Sequence, residues 1–278
     1  MIKKFADDTK LYKMIKTEED ARQLQNDLHH ILNLSEDWQM LFNIDKCKVV
    51  HIGRNNKSFK YSLNDKDLKT VPEEKDVGVI VTKDLKASRQ CIEAVKKANK
   101  TLGMIKRNFR NLNKDIVIRL YKQLVRPHLE YAVQAWSPYL KKDIKLIEGV
   151  QRRATKIIPS FKSLEYRERL KRLRLTTLKR RRSRGDMIET YKILTGKEQI
   201  DRSLMFKLSK YRGTRGHQFK LYKPHSRLDI RKNFFSQRVI TRWNKLPAEV
   251  VDVKTVNDFK IKIDEYYKRK DEQAGRRS

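Results

Sequence analysis

The sequence predicts an α+β chain whose strands are confined to its first third and whose remainder is mostly helical. Three observations carry this. Short apolar runs of strand length alternate with polar turns up to about residue 85, apart from one long helical stretch, and a helical period then takes over. Charge divides in the same way: residues 1–90 hold 17 of the 67 Lys+Arg and 15 of the 34 Asp+Glu, so residues 91–278 hold the remaining 50 and 19. That is about +2 against +31 of the formal +33. Finally, 9 Gly and 6 Pro in 278 residues leave no room for long low-complexity linkers. The expected regions are 1–85 (hairpin, helix and small antiparallel sheet), 86–160 (a helical bundle) and 161–278 (a basic, mostly helical region with a disordered tail).

The elements follow in order. Ile2–Phe5 and Leu11–Ile15 flank Asp7-Asp8, which reads as a hairpin turn. Thr17, followed by Glu18, Glu19 and Asp20, is a helix N-cap, and Ala21, Leu24, Leu28, Ile31, Leu32, Trp38, Leu41 and Phe42 continue at helical spacing. That stripe should pack on a sheet formed by strands at Cys47–Gly53, Phe59–Leu63 and Val77–Val81. After Lys86 one helix carries the stripe Ile92, Val95, Leu102, Ile105, Phe109 and Leu112, a second starts near Lys114 and is kinked by Pro127, and a third runs from Asp143 to Ile158 with Ile144, Ile147, Val150 and Ala154 inward. Pro159 stops it, and short links make the three a bundle. Helical segments from 161 to 195 end near Gly196, a loop surrounds Tyr211–His217, and Phe234, Phe235, Val239, Ile240, Trp243 and Leu246 form a compact segment before a helix capped by Thr255. The tail is expected to be disordered from Lys268.

Composition narrows the function classes. A net charge of +33 and a pI near 10.1 favour a polyphosphate partner, because each cation set against a phosphate releases condensed counterions. Cys47 and Cys91 stand far apart without zinc spacing, and the six histidines form no ligand pattern. With no apolar run of about 18 residues and no signal peptide, no membrane partner is expected and the chain reads as intracellular, nuclear or cytoplasmic. Lys96, Lys100 and Arg107 border the first stripe of the bundle, Arg152 and Arg153 its third helix. Lys179, Arg180, Arg181, Arg182 and Arg184 form the densest run, which suits a localisation signal, a phosphate-binding face or a solvated face. Aromatic residues among the cations, Tyr211, Phe219, Tyr222, Phe234 and Phe235, suit base stacking or core, with core favoured for Phe234 and Phe235.

Several blocks together resemble a known family. Phe5-Ala6-Asp7-Asp8-Thr9-Lys10-Leu11-Tyr12 is similar to motif C of the reverse transcriptases of LINE-type, non-LTR retrotransposons, and Trp38–Lys48 is similar to their motif D. Lys75–Val79 sits where their primer-grip strands lie. Leu124–Ala132, Trp136-Ser137-Pro138, Gln151–Thr155 and Arg184–Glu189 resemble the thumb region of jockey-like and chicken-repeat-like elements, and Phe234–Val239 with Trp243–Pro247 resembles their terminal segment. The resemblance covers almost the whole chain, in family order.

It implies an RNA-directed DNA polymerase: a palm remnant over 1–85, a thumb bundle over 86–160, an RNA template, a DNA target or primer, and dNTPs in the intact enzyme. Asp7 and Asp8 would bind Mg2+, Lys46 would protonate the leaving pyrophosphate, and Gly78 would lie at the primer grip. Asp-Asp is also ordinary turn chemistry, Lys46 an ordinary surface lysine and Gly78 an ordinary strand glycine. With six residues before Asp7, the motif A carboxylate and the fingers are expected to be missing, and the isolated chain to be inactive. The alternative is a non-catalytic RNA- or DNA-binding protein derived from such an element.

Overall fold

The computed structural model describes residues 1–5, 8–209 and 216–275, and these form a mixed α+β chain. It divides into two compact units, Met1–Gln90 and Cys91–Ser278. No helix among the described residues is long and apolar enough to cross a membrane.

In the first unit, β1 (Ile2–Phe5) and β2 (Asp8–Leu11) pair antiparallel, from Ile2 opposite Leu11 to Phe5 opposite Asp8. Thr17 caps α1 (Glu18–Asp37): its hydroxyl accepts the Asp20 N–H, and the Asp20 carboxylate accepts the Thr17 N–H at 2.9 Å. The expected helix to Phe42 stops at Asp37. Glu36 and Asp37 load its negative end with like charge, no basic residue offsets them, and Gln39 turns left-handed at φ 52°. The apolar stripe buries only in part: Leu24, Leu28, Ile31 and Leu32 are half-buried, Ala21 is buried, and Trp38 and Leu41, past the helix end, are more than 70% exposed.

A pair of polar bonds also docks α1. The Gln25 side chain accepts the Ser62 N–H at 3.0 Å and donates to the Ser62 carbonyl at 2.9 Å. Instead of one small sheet there are two-stranded pairs. β3 (Lys48–Val49) runs parallel to β6 (Lys69–Thr70), while β4 (Ser62–Leu63) with β5 (Lys66–Asp67) and β7 (Glu73–Asp76) with β8 (Val79–Thr82) are hairpins. Both hairpin turns need positive φ at two positions, supplied by Asn64-Asp65 (48°, 58°) and Val77-Gly78 (44°, 82°). Gly78 therefore belongs to a turn and not to a strand.

The second unit opens with α2 (Ser88–Asn108), which buries Cys91, Ala94, Val95, Ala98, Leu102 and Ile105. Ile92 and Phe109, expected inward, are 46% and 41% exposed. The kink at Pro127 takes a specific form. After α3 (Lys114–Leu120) the chain widens into a π turn over Tyr121–Val125, and the Arg126 N–H reaches back to the Tyr121 carbonyl before α4 (Arg126–Glu130). Tyr121 and Val125 thereby turn fully inward. Then come α5 (Val133–Trp136), α6 (Lys141–Lys156), a short turn at Pro159–Phe161, α7 (Tyr166–Arg172) and α8 (Leu178–Leu194). Gly196, at φ 68°, ends α8 as expected, with the Lys197 N–H on the Lys192 carbonyl at 2.8 Å.

Short helices α9 (Arg202–Met205), α10 (Asp229–Asn233), α11 (Phe235–Arg238), α12 (Ile240–Trp243) and α13 (Ala248–Val251) lead to α14 (Val256–Gly275). Their core centres on Trp243, Phe259 and Tyr191, the last two stacked 4.3 Å apart. Phe234 is 43% exposed with Arg231 over its ring, so it is not core, whereas Phe235 is. The expected disordered tail is helix as far as Gly275. Arg184–Asp264, Arg180–Asp271 and Arg269–Glu249 ion pairs fasten α14 to α8 and α13.

A buried polar network holds α6 at the centre of this unit. Gln151, with no exposed surface, accepts the Tyr121 hydroxyl at 2.8 Å and donates to the Tyr166 hydroxyl at 2.8 Å and the Thr176 carbonyl at 3.0 Å. Glu148 accepts the Tyr166 hydroxyl and the Leu178 N–H. Replacing Gln151 with Leu orphans three buried groups at once, so Gln151→Leu should lose about 3 kcal/mol in urea unfolding, against about 1 kcal/mol for Tyr121→Phe. Burial also pushes the Cys91 thiol up to about 12, and the Tyr121 and Tyr166 phenols upward. Groups held neutral in the fold but ionising at lower pH when unfolded contribute stability below their unfolded values. That stability is lost as pH rises, here from about 9 toward 12. Thermal unfolding monitored across this range should show a falling midpoint, and Cys91→Ala should shallow the fall.

Candidate nucleic-acid interface

Helix α6 sorts its charges. Its carboxylates, Asp143 and Glu148, lie on the buried side with Ile147, Val150, Gln151 and Ala154, exposed by 4% and 9%. Its cations, Lys141, Lys142, Lys145, Arg152, Arg153 and Lys156, are all exposed. On α2, Lys96, Lys100 and Arg107 recur at i, i+4 and i+11 and so form one exposed stripe. Arg153 joins the two helices by donating to the Asn99 side chain on α2 at 3.0 Å. Arg107 and Arg153 lie back over Gly103 and Gly149: a Cβ at either glycine would meet the guanidinium at 3.7 and 3.5 Å. Arg152 rests on the Tyr166 ring at 4.1 Å, held by the same residue that closes the Glu148 network. The structure thus assembles five of the expected residues, Lys96, Lys100, Arg107, Arg152 and Arg153, on neighbouring helices.

The denser run at the start of α8 is used differently. Arg180 pairs with Asp271, Arg181 with Glu130 (Nη2 to Oε2 3.0 Å), and Arg184 with Asp264 through two bonds of 2.5 and 2.7 Å. Arg182 is buried, 5% exposed, where the Glu148 and Asp186 carboxylates offset the penalty that burial puts on its charge. The expectation that Arg182 meets phosphate is therefore corrected. Consecutive helical positions point 100° apart and cannot all face solvent, and the stripe Leu178, Arg182, Asp186 and Thr190 is the inward one. Lys179 stays exposed, with no carboxylate partner among the described residues.

The candidate polymerase residues lie in the first unit. Asp7 is outside the described residues. Asp8 is exposed at the start of β2, and Lys10, two positions along on the same strand face, pairs with Asp76 beside the Val77-Gly78 turn. Asp8 and Gly78 thus sit on hairpins tied to each other. Lys46 is exposed at the end of a 3-10 turn, Ile44–Lys46, two residues before β3. Magnesium takes six oxygens, usually including more than one carboxylate, and no cluster of three or more His, Cys, Asp or Glu suited to a metal occurs among the described residues.

The sequence offers little sign of a deeply buried ion pair among the described residues. Asp186, 3% exposed at its side chain, receives two bonds of 2.8 and 3.0 Å from Arg238, which also donates to the Gln134 carbonyl. An aspartate four and eight residues after Arg182 and Leu178, adjacent to the apolar Met187, was the available signal. Comparison with family models, with curated proteins and with solved structures finds no match for this chain.

The two ends of the basic run should separate in a stability assay. Arg182→Ala leaves Glu148 and Asp186 less compensated in the interior and should cost about 3 kcal/mol in urea unfolding, whereas Lys179→Ala should stay within about 0.5 kcal/mol.

Proposed function

We propose that this chain grips a nucleic-acid backbone with the exposed cations of α2 and α6, as the nucleic-acid-handling part of an RNA-directed DNA polymerase of the LINE type it resembles. The charge sorting on α6 carries the reading. A basic helix that is merely solvated has no reason to bury its acids, since carboxylates cost less in water. Here both are buried and the outward face is left with six cations and no negative charge. Phosphates in a row are the partner such a face suits, and the stripe on α2 extends it.

On this reading the partners are an RNA template and a DNA target or primer, in the nucleus or cytoplasm. Asp7 and Asp8 belong to the polymerase site, with Mg2+ and dNTPs as its other components and the remaining metal ligands supplied from outside the described residues. The neighbourhood of Asp8 and the Val77-Gly78 turn supports this, because both would have to approach the growing strand. A second reading is a non-catalytic binding protein. It uses the same exposed cations of α2 and α6 and needs no further group.

Two measurements test these. Affinity for RNA and for duplex DNA should fall steeply with salt, with log K against log[salt] sloping at about −4 or steeper. Replacing Lys96, Lys100, Arg107 and Arg153 with Ala should flatten that slope by about three, at roughly 0.7–0.9 per phosphate contact. A slope near zero in the parent chain would overturn the binding reading. Primer extension on an RNA template with Mg2+ and a supplied N-terminal half carrying the motif A carboxylate and fingers separates the two versions: extension abolished by Asp8→Asn supports the polymerase, and none even with that half supports the non-catalytic protein.

A further inference from the structure

Apart from the α2–α6 face, a cavity of about 370 Å³ opens between the start of α8, the end of α12 and the second half of α14. Its size falls in the range of small-molecule pockets, about 300–1,000 Å³. Five cations line it: Lys179, Arg180, Arg242, Lys245 and Lys270. No carboxylate does. Tyr266, Tyr267 and Leu246 supply an apolar wall.

The walls are firmly held. Both tyrosines pack against the Trp243 core, and their rings stand 5.8 Å apart. Lys270 lies 5.1 Å over Tyr266, and Arg180 lies 5.2 Å over Tyr267. Arg242 donates to the Ser183 hydroxyl at 3.1 Å. Arg180 is paired with Asp271, but Lys179, Lys245 and Lys270 have no carboxylate partner among the described residues. A second concavity on α14 gives the contrast: Lys262, Lys268 and Arg269 are balanced there by Glu249, Glu265 and Glu272. Two hollows on one helix, one neutralised and one not, make the first more than an effect of overall composition.

From this we infer that the pocket takes one unpaired nucleotide, its phosphate among the lysines and its base against the Tyr266, Tyr267 and Leu246 wall. Converging cations repel one another, and an anion relieves that repulsion. An apolar aromatic wall adds nothing for inorganic phosphate but does for a base. The shared chemistry is a phosphorylated nucleoside, either within a single strand or free.

The test uses the full chain and a labelled oligouridylate of about twelve nucleotides carrying 4-thiouridine, with AMP, inorganic phosphate and duplex RNA as competitors. The double variant Lys179→Ala/Lys245→Ala should weaken oligouridylate binding about tenfold or more. The charge-matched Lys262→Ala/Lys268→Ala should weaken it less than about threefold, and matching thermal midpoints would show that both fold. Irradiation should crosslink uridine to Tyr266, Tyr267 or Leu246. Competition by AMP at its own dissociation constant supports a free nucleotide, and competition by the strand alone supports a strand. Equal weakening by the two double variants, or inorganic phosphate competing as well as AMP, would overturn the proposal. The α2–α6 reading can fail independently: Lys100→Ala/Arg153→Ala should leave the Tyr266–Tyr267 crosslink in place.

Discussion

Everything in the second unit hangs on α6 having a polar interior face. Glu148 and Gln151 are buried side by side and receive or give bonds to the π turn before α4, to α7, to the strand-like link at Thr176 and to the first turn of α8. A buried carboxylate without donors is costly, so each of those segments is fixed where its donor is required. The network also sets what is left outside. With its acids and its amide committed inward, α6 presents an unbroken basic surface, so the interior satisfaction of two side chains decides the charge of the exterior.

The same economy governs the excess charge. Residues 91–278 carry 50 cations against 19 acids, and many of those acids are spent inside or between helices: Asp186 on Arg238, Glu130 on Arg181, Asp264 on Arg184, Asp271 on Arg180. These pairs join segments more than 50 residues apart and close the unit on itself. Cations left over are then concentrated where no acid remains to answer them, on α2 and α6 and around the hollow beside α14. The most arginine-dense stretch of the sequence, Arg180–Arg184, is among the best neutralised parts of the fold, and the sparser lysines elsewhere are the exposed ones.

Local signals were readable in the sequence: the Thr17 cap, the stop at Pro159, the end of α8 at Gly196, and the lysine stripe opposite the apolar face of α2. Each depends on residues within a turn or two. The features that escaped depend on distant partners. Arg182 reads as surface until Leu178 and Asp186 are placed on the same inward stripe, and the helix beyond Lys268 reads as tail until Asp271 meets Arg180. Pro127 announces a break but not its form as a π turn. The apolar residues after α1, Trp38 and Leu41, read as part of its inward stripe and are exposed, because the helix ends before them. Of the candidate site residues, those on α2 and α6 were legible as a stripe. The hollow beside α14 was not, since its walls come from three segments some 60 and 20 residues apart in the chain.

The two units differ in how they are held, and that difference bears on what a polyanion would do. The first is nearly neutral, with few buried side chains and elements joined by exposed pairs: Lys10–Asp76 between two hairpins, and Arg89–Glu73 between a hairpin and the residues that start α2. Exposed pairs of that kind each contribute little, about 0–1 kcal/mol. The second has a large aromatic and aliphatic core working against the self-repulsion of about +31 charges. A ligand that binds only the folded state stabilises it by mass action, and one that also removes like-charge repulsion acts on the unit's principal electrostatic cost. A polyanion held on the α6 cations would therefore add to the stability that the Glu148–Gln151 network already gives the same helix from its inner face.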